Sequence, residues 1–367
     1  MNRRPTKSRS GYDSFSARDA SRFTASSPDT HFFDTRKKTS PARRLLKLAA
    51  LLLLAALAGN FVANLFVFVR RFEVPVRGLG EAFDGYTILH ISDLKGALFG
   101  GSEQSLLSFA LRGKAFDAVA LTGDMVSARG NAEPLYALIE ALRELNPAAP
   151  IYFIPGDDDP EPASMDYATG GSPFAPWVLG ARQRGATLLS APQSVERGDR
   201  RLWLATTSQL SLDIDTMQRQ YELQYLAAQR DGDENEIELA QYNLQSLEQT
   251  RAARALMKDG APVVTLAHTP PAAQELSPQI DLVLCGHYLG GLARLPLIGP
   301  LVIPSLTLPN YGLFPGADTF YGLTRYGRTS VHASPGLGSE DSHYPAFFFR
   351  LFNPPTVTLV TLTPSSL

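Results

Sequence analysis

Five short apolar runs, each followed within three residues by Asp or His, are the feature that most constrains how this chain folds. The runs hold four to six residues and are bounded by Gly, Pro or Asp, as is typical of buried parallel strands. The carboxyl ends of such strands meet at one edge of a sheet, where ligands bind. We therefore expect the following polar segments to converge on one site. These segments are Ser92–Gly96, Thr122–Met125, Pro155–Asp159, Ala267–Pro270 and Cys285–Leu289.

The order of these segments resembles the calcineurin-like metallophosphoesterase superfamily, whose pattern is Asp-x-His, Gly-Asp, Gly-Asn-His-Asp/Glu, His and Gly-His-x-His. The resemblance covers residues 84–363, and the stretches Gly290–Pro296 and Ser334–Gly338 are similar to its membrane-anchored bacterial branch. It implies a four-layer α/β/β/α sandwich over residues 85–367. It also implies a centre in which two metal ions share one aspartate, which here is Asp124.

The first of the two implied metal positions lacks part of its ligand set. By the resemblance, this ion would bind Asp93, residue 95, Asp124 and residue 289. Residue 95 is Lys, whose ammonium group has donors but no acceptor, and residue 289 is Leu, which offers no ligand. We therefore expect no metal ion at this position.

The second implied position keeps four oxygen or nitrogen ligands. The resemblance assigns it Asp124, Asp157, His268 and His287, with Asp157 in place of the family's Asn. Two imidazoles and two carboxylates suit Zn, Mn or Fe. The prediction is one divalent metal ion, and the alternative is a site without metal.

Two further residues, Lys95 and Asp158, are the predicted catalytic groups. Lys95 either replaces the charge of the missing metal beside Asp93 and Asp124, or points to solvent. Asp158 stands where the family has a His that assists the leaving group, and an ionised carboxylate repels a phosphate.

Two functions follow from this altered centre. One is a weakened, single-metal hydrolase of a phosphoester or pyrophosphate, in which Lys95 steadies the transferred phosphoryl group. Losing several kcal/mol of two-metal stabilisation slows such a reaction on the order of thousands-fold. The other is an inactive domain that binds a phosphorylated ligand or a protein partner.

An apolar stretch near the N-terminus is long enough to cross a bilayer. Leu48–Val69 contains no charged residue, and basic residues flank it, so residues 44–71 are predicted to form a transmembrane signal anchor. The small residues Ala56–Ala58 favour a cleaved signal peptide as the alternative, but the basic region before them is long for one. Residues 72–84 are predicted to form a linker.

The distribution of charge predicts the topology. Residues 1–77 carry 15 Lys or Arg and 5 Asp or Glu, a net charge of +10, and the remainder carries −12 because the whole chain carries −2. The basic N-terminal arm, residues 1–43, is predicted to be disordered and cytoplasmic, with the main domain outside a bacterial cell membrane. The acidic main domain speaks against nucleic acid as a partner. The family resemblance and a location next to a bilayer imply a phosphorylated small molecule or a lipid-linked compound as the substrate.

Residues 211–258 interrupt the alternation of strands and helices. They are rich in Gln, Glu, Leu and Ala, and apolar residues recur at helical spacing on both sides of Asp231–Asp233. This pattern predicts a helical hairpin inserted into the domain. Its open roles are a lid over the cleft, a surface for a protein partner, or a helix pair packed on the core.

Overall fold

Two six-stranded sheets organise the structure, a computed structural model. It describes residues 40–126, 130–163, 172–295, 298–303, 312–315, 320–339 and 350–365. The chain divides into two compact units, Met1–Leu54 and Ala55–Leu367, and the described part of the first unit is the beginning of one helix. The predicted disordered arm lies outside the described residues as far as residue 39.

Helix α1, Pro41–Asn64, is long and apolar enough to cross a membrane by length and composition. It begins three residues before the predicted anchor and ends seven residues before the predicted end at 71. Residues 68–76 instead form strand β1, Phe68–Val76, so the predicted linker 72–84 is also wrong in its first part. This segment is a strand because it pairs in parallel with the strand Thr356–Pro364 over nine residue pairs, which buries Val74 and Val76.

The first sheet carries three of the polar segments at its carboxyl edge. Its strand order is β1-β14-β2-β3-β4-β5, with β2, β3, β4 and β5 parallel and β14 antiparallel to β2. Its other strands are β2 (Thr87–Ile91), β3 (Ala118–Thr122), β4 (Ile151–Ile154), β5 (Ala186–Leu188) and β14 (Thr356–Pro364).

The second sheet carries the two histidine segments. Its order is β12-β13-β9-β8-β7-β6, and its four central strands are parallel. Its strands are β6 (Gln193–Arg197), β7 (Arg200–Thr206), β8 (Val263–Leu266), β9 (Leu282–Cys285), β12 (Gly322–Tyr326) and β13 (Thr329–Ala333). A separate ribbon pairs β10 (Ala293–Leu295) with β11 (Gly299–Val302).

Three apolar clusters show how the layers pack. One cluster joins the inner faces of both sheets, including Ile88, Ala120, Leu204 and Leu284. A second covers the outer face of the first sheet, and a third covers the outer face of the second. The result is a mixed α/β sandwich of two sheets with helices outside, in agreement with the layers expected from the sequence. The helices of the first outer layer are α2 (Ser105–Leu111), α3 (Glu133–Leu145) and α4 (Pro176–Gln183).

The segment 211–258 forms a helical hairpin. After the short helix α5 (Thr207–Ser211), helix α6 spans Ile214–Asp231 and helix α7 spans Glu234–Leu256. Two adjacent residues form the turn. Gly232 takes the left-handed conformation that ends α6, and the Asp233 carboxylate accepts two backbone N–H groups at the start of α7. Helix α7 packs on the outer face of the second sheet through Ala253, and its Leu247 is also buried.

Candidate metal centre

Unusual backbone angles mark the polar segments as a special region. Among the described residues, eight non-glycine residues have positive φ, and five of them belong to the five sequence segments. A non-glycine side chain in this region is strained, and such strain concentrates at functional sites. The five residues are Asp93, Lys95, Asp124, His287 and Leu289.

Asp124 lies at the middle of the cluster and is 1% exposed. Its Oδ1 accepts the backbone N–H of Asp158 at 2.9 Å. Its Oδ2 lies 2.9 Å from Nζ of Lys95 and 3.3 Å from Nε2 of His268. Burial alone would raise the pKa of Asp124, but these two cationic partners outweigh burial and hold it well below the usual range.

The two predicted histidine ligands lie together. Nδ1 of His268 donates to the carbonyl oxygen of Thr122 at 2.9 Å, which leaves Nε2 facing Asp124 and His287. Nδ1 of His287 lies 3.2 Å from Nε2 of His268. Burial opposes a charge on His268, yet the hydrogen bond to Asp124 and the nearby carboxylates raise its pKa to about 9.

Lys95 turns into the cluster and is 6% exposed, so its alternative placement in solvent is wrong. Its ammonium pairs with Asp124 and, at 2.6 Å, with Oδ2 of Asp158. Burial would lower the pKa of Lys95, but the charge of Asp124 and the hydrogen bond to Asp158 raise it well above the usual range. The ammonium therefore stands as a permanent cation beside Asp124.

Asp93 is fully buried at the edge of this cluster. Both of its carboxylate oxygens accept the backbone N–H of His287, at 3.2 and 3.1 Å. Burial raises its pKa, opposed by the charge of His268 and aided by that of Asp124. In this position Asp93 shapes the loop that carries His287, and its predicted role as a metal ligand stays a prediction.

The acidic run after β4 divides into different roles. Oδ2 of Asp157 lies 3.4 Å from Nδ1 of His287, and its side chain is 65% exposed. Asp159 accepts the backbone N–H groups of Val126 and Gly156. Burial raises the pKa of Asp159 to about 6, despite these two hydrogen bonds. Asp159 therefore connects the segment Pro155–Asp159 to Val126, the residue that follows the segment Thr122–Met125.

The donor set fits one metal ion and not two. Ligand atoms of Asp124, His268 and His287 lie within 4.8 Å of one another, and the Nδ1–H bond of His268 directs its Nε2 toward the other two, where it would bind a metal ion after losing its proton. Two imidazoles and a carboxylate form a set that transition metals accept. The Lys95 ammonium, which pairs with Asp124, and the buried, apolar Leu289 offer no ligand to a second cation.

A second pair of histidines lies behind the centre. Nδ1 of His90 and Nδ1 of His332 are 2.8 Å apart, and Nε2 of His90 lies 2.8 Å from Oγ1 of Thr122. Both rings are fully buried, and burial lowers the pKa of both, that of His332 to about 3. These are neutral core histidines that support the strand end carrying Thr122.

The comparisons with known proteins are distant. No protein-family profile and no curated protein sequence matches this chain. Among solved structures, the chain is similar to vacuolar protein sorting 29 from Cryptosporidium parvum, with 15% identity and a TM-score of 0.29. The match covers 77% of this chain and 87% of that chain.

Proposed function

We propose that this chain is a membrane-anchored phosphoesterase-like domain with a single-metal centre and weak hydrolysis of a phosphoester or pyrophosphate. One observation carries the proposal. Asp124, His268 and His287 offer one metal-binding set, while Lys95 takes the place of a second cation on the same carboxylate.

The residues have distinct tasks in this proposal. Asp124, His268 and His287 would hold the ion, with Asp157 beside them, and a bound metal would lower the pKa of a water molecule. Lys95 supplies a fixed positive charge for phosphoryl oxygens without needing a second ion. Asp158 pairs with Lys95, so the leaving group lacks the histidine that the calcineurin-like family has at position 158.

The location and the substrate class follow from the N-terminal part of the chain. Helix α1 would anchor the protein in a bacterial membrane, with the basic arm in the cytoplasm and the acidic domain outside. A site held near a bilayer favours a lipid-linked or other phosphorylated substrate.

The test is the metal content of the full-length protein purified in detergent, measured by elemental mass spectrometry. We expect one equivalent of a transition metal in the native protein and none in His268→Ala. The matched control Asp231→Asn, on the exposed turn of the hairpin, should keep one equivalent. Two equivalents in the native protein, or one in His268→Ala, would refute the single-metal centre.

Activity is the second part of this test. Bis(p-nitrophenyl) phosphate and p-nitrophenyl phosphate are suitable probes, because neither needs a specific binding pocket. Turnover that depends on added Mn²⁺ or Zn²⁺ and disappears in Asp124→Asn supports a residual hydrolase. Turnover that persists in Asp124→Asn comes from a contaminant.

A ligand-binding domain without catalysis is the second candidate, and the ion pairs of Lys95 favour it. The ammonium already engages Asp124 and Asp158, so its charge is already paired without substrate or a second metal. A metal-loaded protein that binds phosphate or pyrophosphate by calorimetry, but turns over neither probe, would select this candidate. The predicted use of the hairpin as a protein-partner surface stays a prediction.

A further inference from the structure

Arg350 is a fully buried arginine whose guanidinium donates to three main-chain carbonyl groups of the described residues. Its Nε donates to Asn353 at 2.8 Å, and its two terminal nitrogens donate to Gly338 at 2.6 Å and Pro335 at 2.5 Å. Burial lowers its pKa to about 10, while the charge of Asp93 works in the opposite direction. A guanidinium charge buried this deeply is stable only when it is hydrogen-bonded. Its bonds to Pro335 and Gly338 therefore hold the loop that contains these residues.

That loop supports Asp93. The backbone N–H of Gly338 donates to the carbonyl of Asp93 at 2.7 Å, and Leu337 donates to Ser92 at 3.1 Å. The approach is close, because a Cβ at Gly336 would lie 3.0 Å from Cβ of Asp93. The carbonyls that Arg350 holds therefore belong to the loop that sets the position of Asp93.

Asn353 extends the same support to the histidine segment. Its side-chain amide donates to the carbonyls of Leu289 at 2.6 Å and Gly291 at 2.8 Å. His287 lies two residues before Leu289 and gives its own N–H to Asp93. The short stretch from Arg350 to Asn353 thus contacts both loops that meet at Asp93.

The last turns of helix α1 dock on this same stretch. The side-chain amides of Asn60 and Asn64 both donate to the carbonyl of Arg350, at 2.9 and 3.0 Å. Oδ1 of Asn60 accepts the backbone N–H of Phe352 at 2.5 Å. Asn64 is 2% exposed, so this end of the helix packs as part of the main unit.

We infer that Asn60, Asn64 and Arg350 are positioning residues that connect the end of the membrane helix to the metal centre. The connection passes from α1 to the Arg350 carbonyl, through the guanidinium to the loop at Pro335–Gly338, and from there to Asp93. It rests on the proposed function only in treating the loops at Asp93 and His287 as parts of a metal site. The helix is in this way a structural component of the site in addition to an anchor.

The experiment is hydrogen–deuterium exchange of the full-length protein in detergent micelles, with native protein, Asn60→Ala/Asn64→Ala and Arg350→Lys. The N–H groups of Leu337 and Gly338 report on the loop, because they donate to Ser92 and Asp93. We expect their exchange to be about fivefold faster in both variants, the change expected when one hydrogen bond of ordinary net strength is lost. Asn60→Ala alone, at a half-buried position, is the variant to use if the double substitution does not fold.

Leu57→Ala is the matched control, since Leu57 is 44% exposed on the same helix. It should leave the exchange of Leu337 and Gly338 unchanged. Native exchange at these two amides in the asparagine variant would overturn the inference, as would faster exchange spread evenly over the whole chain. If exchange at Leu337 and Gly338 becomes faster in Arg350→Lys but not in Asn60→Ala/Asn64→Ala, the role of the helix is overturned.

Co²⁺ titration of the same variants separates this inference from the proposed function. If native protein binds Co²⁺, weaker binding or an altered absorption band in Asn60→Ala/Asn64→Ala is expected, at a temperature where the variant is fully folded. An identical spectrum and affinity would overturn the positioning role. If native protein binds no Co²⁺, the proposed function fails, while hydrogen exchange still decides whether the helix holds the loop.

Discussion

The ammonium of Lys95 lies 2.9 Å from Oδ2 of Asp124, and the same oxygen lies 3.3 Å from Nε2 of His268. One carboxylate oxygen thus faces a fixed cation on one side and a metal-binding imidazole on the other. The ammonium supplies part of the positive charge that a second metal ion would bring, so it reduces the repulsion between the buried carboxylates of Asp93 and Asp124.

Replacing Lys95 by Met should destabilise the protein. The change leaves Asp124 with one fewer cationic partner in a buried site, and breaking one half of a buried ion pair removes about 3 kcal/mol of stability. Urea unfolding of the full-length protein at pH 7 measures the effect. Arg251→Met removes the exposed pair with Asp215 and should cost no more than about 1 kcal/mol. Equal effects of the two substitutions would contradict the charge-balance role of Lys95.

Restoring the missing ligands should create a second metal position. Lys95→His removes the competing ammonium, and Leu289→His supplies an imidazole at a positive φ that His tolerates better than most residues. The double variant should bind two metal equivalents by elemental analysis. Lys95→Ala/Leu289→Ala, which removes the ammonium without adding ligands, should keep one. A single equivalent in the histidine variant would show that more than the ligands has been lost.

Stability should fall as the solution becomes acidic, because of the buried pair His90 and His332. Burial lowers the pKa of His332 to about 3, so the unfolded chain takes up a proton near pH 6.5 that the folded chain does not. The resulting contribution is present above pH 6.5 and is lost as the pH falls from 6.5 toward 3. Between pH 7 and 5 this one group should remove about 2 kcal/mol.

The measurement for this prediction is the free energy of unfolding at intervals from pH 7 to 5 in native protein and His332→Gln. The variant should have a lower stability at pH 7 and a shallower decline toward pH 5. Parallel curves for the two proteins would contradict a neutral, buried His332.

Removing residues 1–77 should damage the domain itself. Strand β1 places Val74 and Val76 in the core between the sheets with no exposure, and burying two valines contributes at least about 3 kcal/mol. A chain beginning at residue 66 keeps β1 and should be more stable than one beginning at residue 78 by at least that amount. Thermal and urea unfolding of the two truncated chains give the comparison, and equal stabilities would mean that β1 is dispensable.

Much of the fold follows from local sequence patterns. The short apolar runs became parallel strands with bounds within one residue of those predicted, as at Ile151–Ile154 and Val263–Leu266. The hairpin turn at Gly232 and Asp233 follows equally from residue types that end and begin helices. The end of helix α1 did not follow, because the apolar run Leu48–Val69 continues past Asn64, and Phe68 and Val69 join a strand only by pairing with β14.

Local sequence patterns are enough to predict which residues meet at the site, because polar residues that follow parallel strands gather at the carboxyl ends of those strands. Here these ends belong to two sheets, which the pattern of strand ends alone did not predict. Tertiary structure decided what those residues do. The sequence allowed Lys95 to lie either beside the carboxylates or in solvent. The structure shows its ammonium paired with Asp124 and Asp158. The support from Asn60 through Arg350 joins residues 290 positions apart, and no local pattern encodes a contact made by side chains so distant in sequence.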